Sequence, residues 1–123
     1  MALLYHLNLG FPAVQAASRL TLDGSGLIDI ALPIPSCLPA GPGQARATLT
    51  SPLHPSPFAT TIALDATTPP YLQLWRDPAP STAILSIEPC TSQRLSDGRS
   101  GRKALLDPGA QREFHLEIAF APG

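Results

Sequence analysis

The stretch EFHLEIAFA, residues 113–121, alternates strictly: Phe114, Leu116, Ile118 and Phe120 share one side of an extended chain, and Glu113, His115 and Glu117 share the other. Successive side chains of a strand point to opposite faces, so this pattern predicts a strand with one face packed and one in water. Shorter runs with the same period lie at 19–22, 27–32, 60–66, 71–76 and 82–88, each bounded by Gly, Pro, Asp or Ser. No window of a dozen residues shows an apolar stripe with the 3.6-residue period of a helix. The chain therefore reads as all-β, an antiparallel β-sandwich of about six short strands.

Composition agrees with that class. At 123 residues, 44% hydrophobic and 14% charged, the chain can bury one modest core. Fifteen prolines and nine glycines punctuate it. Seven of those prolines fall between Pro33 and Pro57, where they remove backbone donors and predict a long surface loop holding one short strand around 45–49. A loop of that length is uncommon in a compact domain and marks either a functional segment or an incomplete assignment of strands.

Eight Lys and Arg against nine Asp and Glu give a formal charge of -1, with the arginines scattered. Such a distribution attracts neither phosphate backbones nor anionic lipid, so no nucleic-acid and no membrane partner is expected. No apolar run approaches the roughly 20 residues that cross a bilayer, and the start, MALLYH, lacks a basic region followed by a long apolar one. A cytoplasmic location is expected. Cys37 and Cys90 have no Cys-x-x-Cys spacing and no histidine at zinc-finger distance, so they read as two reduced thiols, with no metal and no cofactor.

Within residues 82–88 the alternation places Ile84, Ser86 and Glu88 on one face and Ala83, Leu85 and Ile87 on the other, both largely apolar, which predicts a central strand. Pro89 is expected to end its ladder and leave the Glu88 carboxylate at the sheet rim, where a ligand can reach it as a proton acceptor. The structural alternative is a pairing of Glu88 with Arg94 or Arg19, or a plain reach into solvent. A second chemical candidate is His6, since a neutral imidazole donates one proton and accepts another. Its alternative is a histidine bonded to a backbone carbonyl.

These segments together resemble the aldose 1-epimerase (galactose mutarotase) superfamily, most closely a less-characterised bacterial branch. The resemblance rests on four segments in order: Tyr5-His6-Leu7-Asn8-Leu9-Gly10-Phe11-Pro12, similar to a Tyr-His-x-Asn-x-Gly-x-Pro pattern; LQLW, from Leu72; SIEPCT, from Ser86; and LLDPGAQREFHLEI, from Leu105, similar to a Leu-x-Pro-Gly turn into a final strand. It covers nearly the whole chain but only the C-terminal part of a family member. Residues 1–123 are thus expected to form the C-terminal part of an aldose 1-epimerase-like domain, a partial galactose mutarotase-like supersandwich without its N-terminal half.

What the resemblance implies is an isomerase of carbohydrate metabolism that interconverts sugar anomers by acid/base ring opening, with Glu88 as base on the anomeric hydroxyl and His6 as acid on the ring oxygen. It implies a small-molecule sugar as partner, with Trp75 as a platform for the pyranose ring, Asn8 supporting the segment that holds His6, Thr91 at the rim beside Glu88, and Arg94 toward the substrate. Trp75 has a structural alternative, a core residue anchoring two sheets. Family members also use an upstream histidine and arginine with no counterpart before His6, so activity is expected to need a longer chain, and the exposed edges of a partial sandwich to favour self-association. A non-catalytic carbohydrate-binding sandwich and an interaction sandwich are the competing readings. His54 and His115 are read as exposed, outside the site.

Overall fold

The computed structural model describes residues 3–23, 26–30, 37–39, 44–52, 56–65, 71–77, 83–101 and 105–123. They form nine strands in two antiparallel sheets: β1 (Leu7–Leu9), β2 (Arg19–Leu22), β3 (Gly26–Ile28), β4 (Cys37–Pro39), β5 (Gln44–Ser51), β6 (Phe58–Asp65), β7 (Tyr71–Asp77), β8 (Ile84–Cys90) and β9 (Leu116–Pro122). One sheet has the order β1-β8-β7-β4 and the other β3-β2-β5-β6-β9. The all-β sandwich is as expected.

Period two builds the core. Leu72 and Leu74 of β7 and Leu85 and Ile87 of β8 point inward from the first sheet; Leu20, Leu22, Ala47, Leu49, Ile62 and Leu64 meet them from the second. The chain passes between the sheets after β1 through a turn in which Val14 N–H donates to the Gly10 carbonyl at 3.0 Å. Ser51 of β5 ties that turn down, its hydroxyl donating to the Pro12 carbonyl at 3.0 Å, and Val14 is buried in the core.

Three expectations change. The segment from Pro33 to Pro57 is not one surface loop, because its described residues include β4 and the eight-residue β5, which lies between β2 and β6. Pro39 is the last residue of β4, paired with Tyr71, and no proline falls within β5, so the ladder to β6 runs unbroken from Gln44 to Ser51. His54 lies outside the described residues.

Pro89 does not end its strand. It pairs with Leu72 inside β8, and its carbonyl accepts from Tyr5 N–H at 3.0 Å. In an antiparallel ladder a residue's N–H and C=O point to the same side, so the donor that proline lacks faces the N-terminal segment and the β7 side loses nothing.

The third change concerns β9. Its pairing with β6 sets Leu116, Ile118 and Phe120 beside Leu64, Ile62 and Thr60, on the inner face as the alternation predicts. Yet Ile118 is 45% and Phe120 73% exposed, because β9 is the edge of the five-stranded sheet and the four-stranded sheet does not cover it. Leu116 alone of these three packs against the core. The turn before it, Asp107 to Ala110, closes with Ala110 N–H on the Asp107 carbonyl at 3.0 Å, and Gly109 takes the positive φ of 79° that a type II turn needs after proline.

Leu85→Ala should cost about 2–5 kcal/mol in denaturant unfolding, since Leu85 is fully enclosed between the sheets. Phe120→Ser should change stability by less than about 0.5 kcal/mol; a loss as large as that of Leu85→Ala would mean that β9 is covered.

Candidate functional site

The outer face of the four-stranded sheet carries the polar residues. On β7 and β8 the register places Gln73 beside Glu88 and Trp75 beside Ser86, while Leu72, Leu74, Leu85 and Ile87 point into the core. The N-terminal segment runs along the other side of β8: Leu4 bridges Cys90, Asn8 pairs with Ser86, and His6 lies between them on the same face. Three neighbouring stretches of chain thus deliver His6, Ser86, Glu88, Gln73 and Trp75 to one surface.

Glu88 is the centre of this group and is only 2% exposed. Its Oε2 accepts from Gln73 Nε2 at 2.6 Å and its Oε1 from the Ser86 hydroxyl at 2.7 Å. His6 Nε2 stands 3.1 Å from the same Oε1, and His6 Nδ1 stands 3.4 Å from the Ser86 hydroxyl oxygen. Ser86 has one proton and gives it to Glu88. A His6 ring carrying both protons therefore donates to Glu88 and Ser86 together, and the ring protonated at Nε2 alone donates to Glu88. Burial of a carboxylate is tolerable here because donors surround it.

A cavity of about 460 Å³ opens over the cluster, lined by Leu4, His6, Gln73, Trp75, Glu88 and Arg94. Its size suits a small-molecule ligand. Trp75 is 49% exposed on this face, which rules out the core-anchor alternative, and presents its ring beside the His6–Glu88 pair.

Four of the six residues singled out from the sequence meet in this cavity: His6, Glu88, Trp75 and Arg94. Glu88 departs from expectation in being buried within a continuing strand rather than standing at a rim, because β8 extends past Pro89. It pairs with neither Arg94 nor Arg19; its partners are Gln73, Ser86 and His6. Thr91 does not line the cavity. Its hydroxyl accepts from Leu3 N–H at 2.9 Å while its own N–H donates to the Leu3 carbonyl at 3.0 Å, so it fastens the segment that carries His6. Asn8 shares the face but is exposed beyond the cavity. His115 is exposed, as expected.

Gln73 and Ser86 were not given roles by sequence reasoning. The signal for Gln73 was its place two residues before Trp75 on a strand, and for Ser86 its place two residues before Glu88; period two sends both to the site.

Cys90 lies on the same face, buried, and burial first, then the neighbouring Cys37, pushes its thiol up to about 11. Both cysteines are free thiols. Among the described residues no group of three or more His, Cys, Asp and Glu is placed to hold a metal ion, and no helix is long and apolar enough to cross a membrane. Comparisons with protein-family models, curated proteins and solved structures returned no match.

Gln73→Leu keeps the bulk but leaves a buried carboxylate oxygen without its donor, and should cost about 1–3 kcal/mol in unfolding experiments. Iodoacetamide should alkylate Cys90 of the folded chain slowly at pH 8 and rapidly after denaturation, as followed by mass spectrometry. Because the folded thiol holds its proton to higher pH than the unfolded one, the contribution of Cys90 to stability is whole below about pH 9, and falls as the pH rises toward about 11.

Proposed function

We propose that the outer face of the four-stranded sheet binds an aldose and exchanges its anomers by paired acid/base ring opening, as in the aldose 1-epimerase-like enzymes that the sequence resembles, with the sandwich as part of the larger mutarotase architecture. The observation that carries this reading is the 3.1 Å contact of His6 Nε2 with Glu88 Oε1 on the wall of a cavity that Trp75 also lines.

The chemistry requires one base and one acid acting on two oxygens attached to the same carbon, the anomeric hydroxyl oxygen and the ring oxygen. An acid and a base in mutual contact reach both from one side. Glu88 takes the hydroxyl proton, His6 gives a proton to the ring oxygen, and the bond from the anomeric carbon to the ring oxygen breaks to leave the open aldehyde. Rotation about the adjacent carbon–carbon bond turns the other carbonyl face to the hydroxyl. Reclosure returns one proton from Glu88 to the carbonyl oxygen and the other from the hydroxyl to His6, so both residues end as they began. Trp75 offers an aromatic plane to the C–H face of the ring, and Gln73 and Ser86 hold the carboxylate in place.

One observation favours a second reading, a carbohydrate-binding sandwich without catalysis: both oxygens of Glu88 are already engaged by donors within the chain, so a sugar hydroxyl has to compete with Gln73, Ser86 or His6 for the carboxylate.

Relaxation of freshly dissolved α-D-glucose and α-D-galactose, followed by polarimetry, separates the two. Acceleration by the wild-type chain, reduced by on the order of 10²-fold or more in Glu88→Gln, is the outcome for the enzyme. Rates equal to buffer, with saturable sugar binding that survives Glu88→Gln, would establish the binding protein instead.

A further inference from the structure

Beyond the cavity over Glu88 lies a smaller one of about 120 Å³, bounded by Cys90, Ser92 and Ser100 and sharing Leu4, Gln73 and Arg94 with its larger neighbour. Arg94 stands at the shared wall. The segment that carries it is a hairpin: Arg94 and Ser100 form a bridge, Gly101 N–H donates to the Gln93 carbonyl at 2.6 Å, and Leu95 N–H donates to the Arg99 carbonyl at 2.9 Å. Gly98 turns it with φ of 81°, and a side-chain carbon at that position would lie 3.9 Å from Arg94 Nη2, so the guanidinium folds back over the turn.

Neither nearby carboxylate takes that guanidinium. Asp97, in the same hairpin, is held by Arg99, whose Nε and Nη2 both lie 2.6 Å from its Oδ2, and this pairing lowers its pKa. Glu88, in the wall of the larger cavity, is taken by Gln73, Ser86 and His6. Among the described residues Arg94 forms no ion pair and no side-chain hydrogen bond. A guanidinium presents several donors in a rigid fork that matches an oxyanion.

Resting on the sugar reading above, the geometry points to an aldose bearing one anionic group, a carboxylate or a phosphoryl group, as the ligand of this site. The ring lies against Trp75 beside His6 and Glu88, and the anionic group meets Arg94 at the mouth of the smaller cavity. Arg94 is then the residue that sets specificity between charged and neutral sugars.

Trp75 is the sole tryptophan and reports binding through its fluorescence. The full chain and its Arg94→Gln variant would each be titrated with D-galactose, D-galacturonate and D-galactose 6-phosphate, at low and at raised salt. At least one charged sugar should bind the wild type about 10-fold or more tightly than galactose, with the margin shrinking in salt and falling near one in Arg94→Gln. Which charged sugar gains identifies the group. Equal affinities for all three sugars, or a preference that persists in Arg94→Gln, would overturn this specificity while leaving the sugar site standing. Failure of all three to bind a chain shown to be folded would overturn the sugar reading and this inference together.

Discussion

The pairing of β7 with β8 is the constraint on which both the core and the candidate site depend. With Gln73 opposite Glu88, the same two strands send Leu72, Leu74, Leu85 and Ile87 between the sheets and Gln73, Trp75, Ser86 and Glu88 to the outer face. A slip of one residue in either strand would exchange those sets, burying a carboxylate in the apolar interior and exposing leucines. The hydrogen bond from Gln73 to Glu88 marks the correct register, and the N-terminal segment, fastened by Thr91 and laid against β8, completes the cluster by bringing His6 to the same oxygen.

The cluster combines stability with chemical capacity. A buried carboxylate is costly unless its oxygens are engaged, and three side chains from three stretches of chain engage this one. The imidazole among them also lines the cavity, and its ring nitrogens can each donate or accept a proton. The arrangement that makes Glu88 tolerable in a central strand is thus the arrangement that an acid/base pair requires, and Trp75 on the adjacent strand gives that pair an apolar surface beside it.

Much of this was legible in the sequence, because it depends on local alternation. Residues 19–22 form β2 as read, and the faces of Ser86 and Glu88 follow from period two. The inner face of β9 was equally legible, but its exposure was not, since burial depends on what the opposite sheet places over an edge strand. Pro89 misled because the effect of proline in a ladder depends on which side its missing donor faces, a property of strand order. The prolines between 33 and 57 hid β4 and the length of β5 for a similar reason: they mark breaks, and tertiary pairing decides what lies between them. Gln73 was missed as a partner because its role exists only across the ladder from Glu88.

The most direct test of the central claim, that the outer face of the four-stranded sheet is a sugar site built around His6 and Glu88, is a titration of the ¹⁵N-labelled chain with D-galactose followed by NMR. The account predicts saturable shifts concentrated on His6, Gln73, Glu88, the Trp75 indole and Arg94, with the edge strand β9 unmoved. Shifts that are absent at saturating sugar, or that gather on β9 and leave the His6–Glu88 face unchanged, would contradict it.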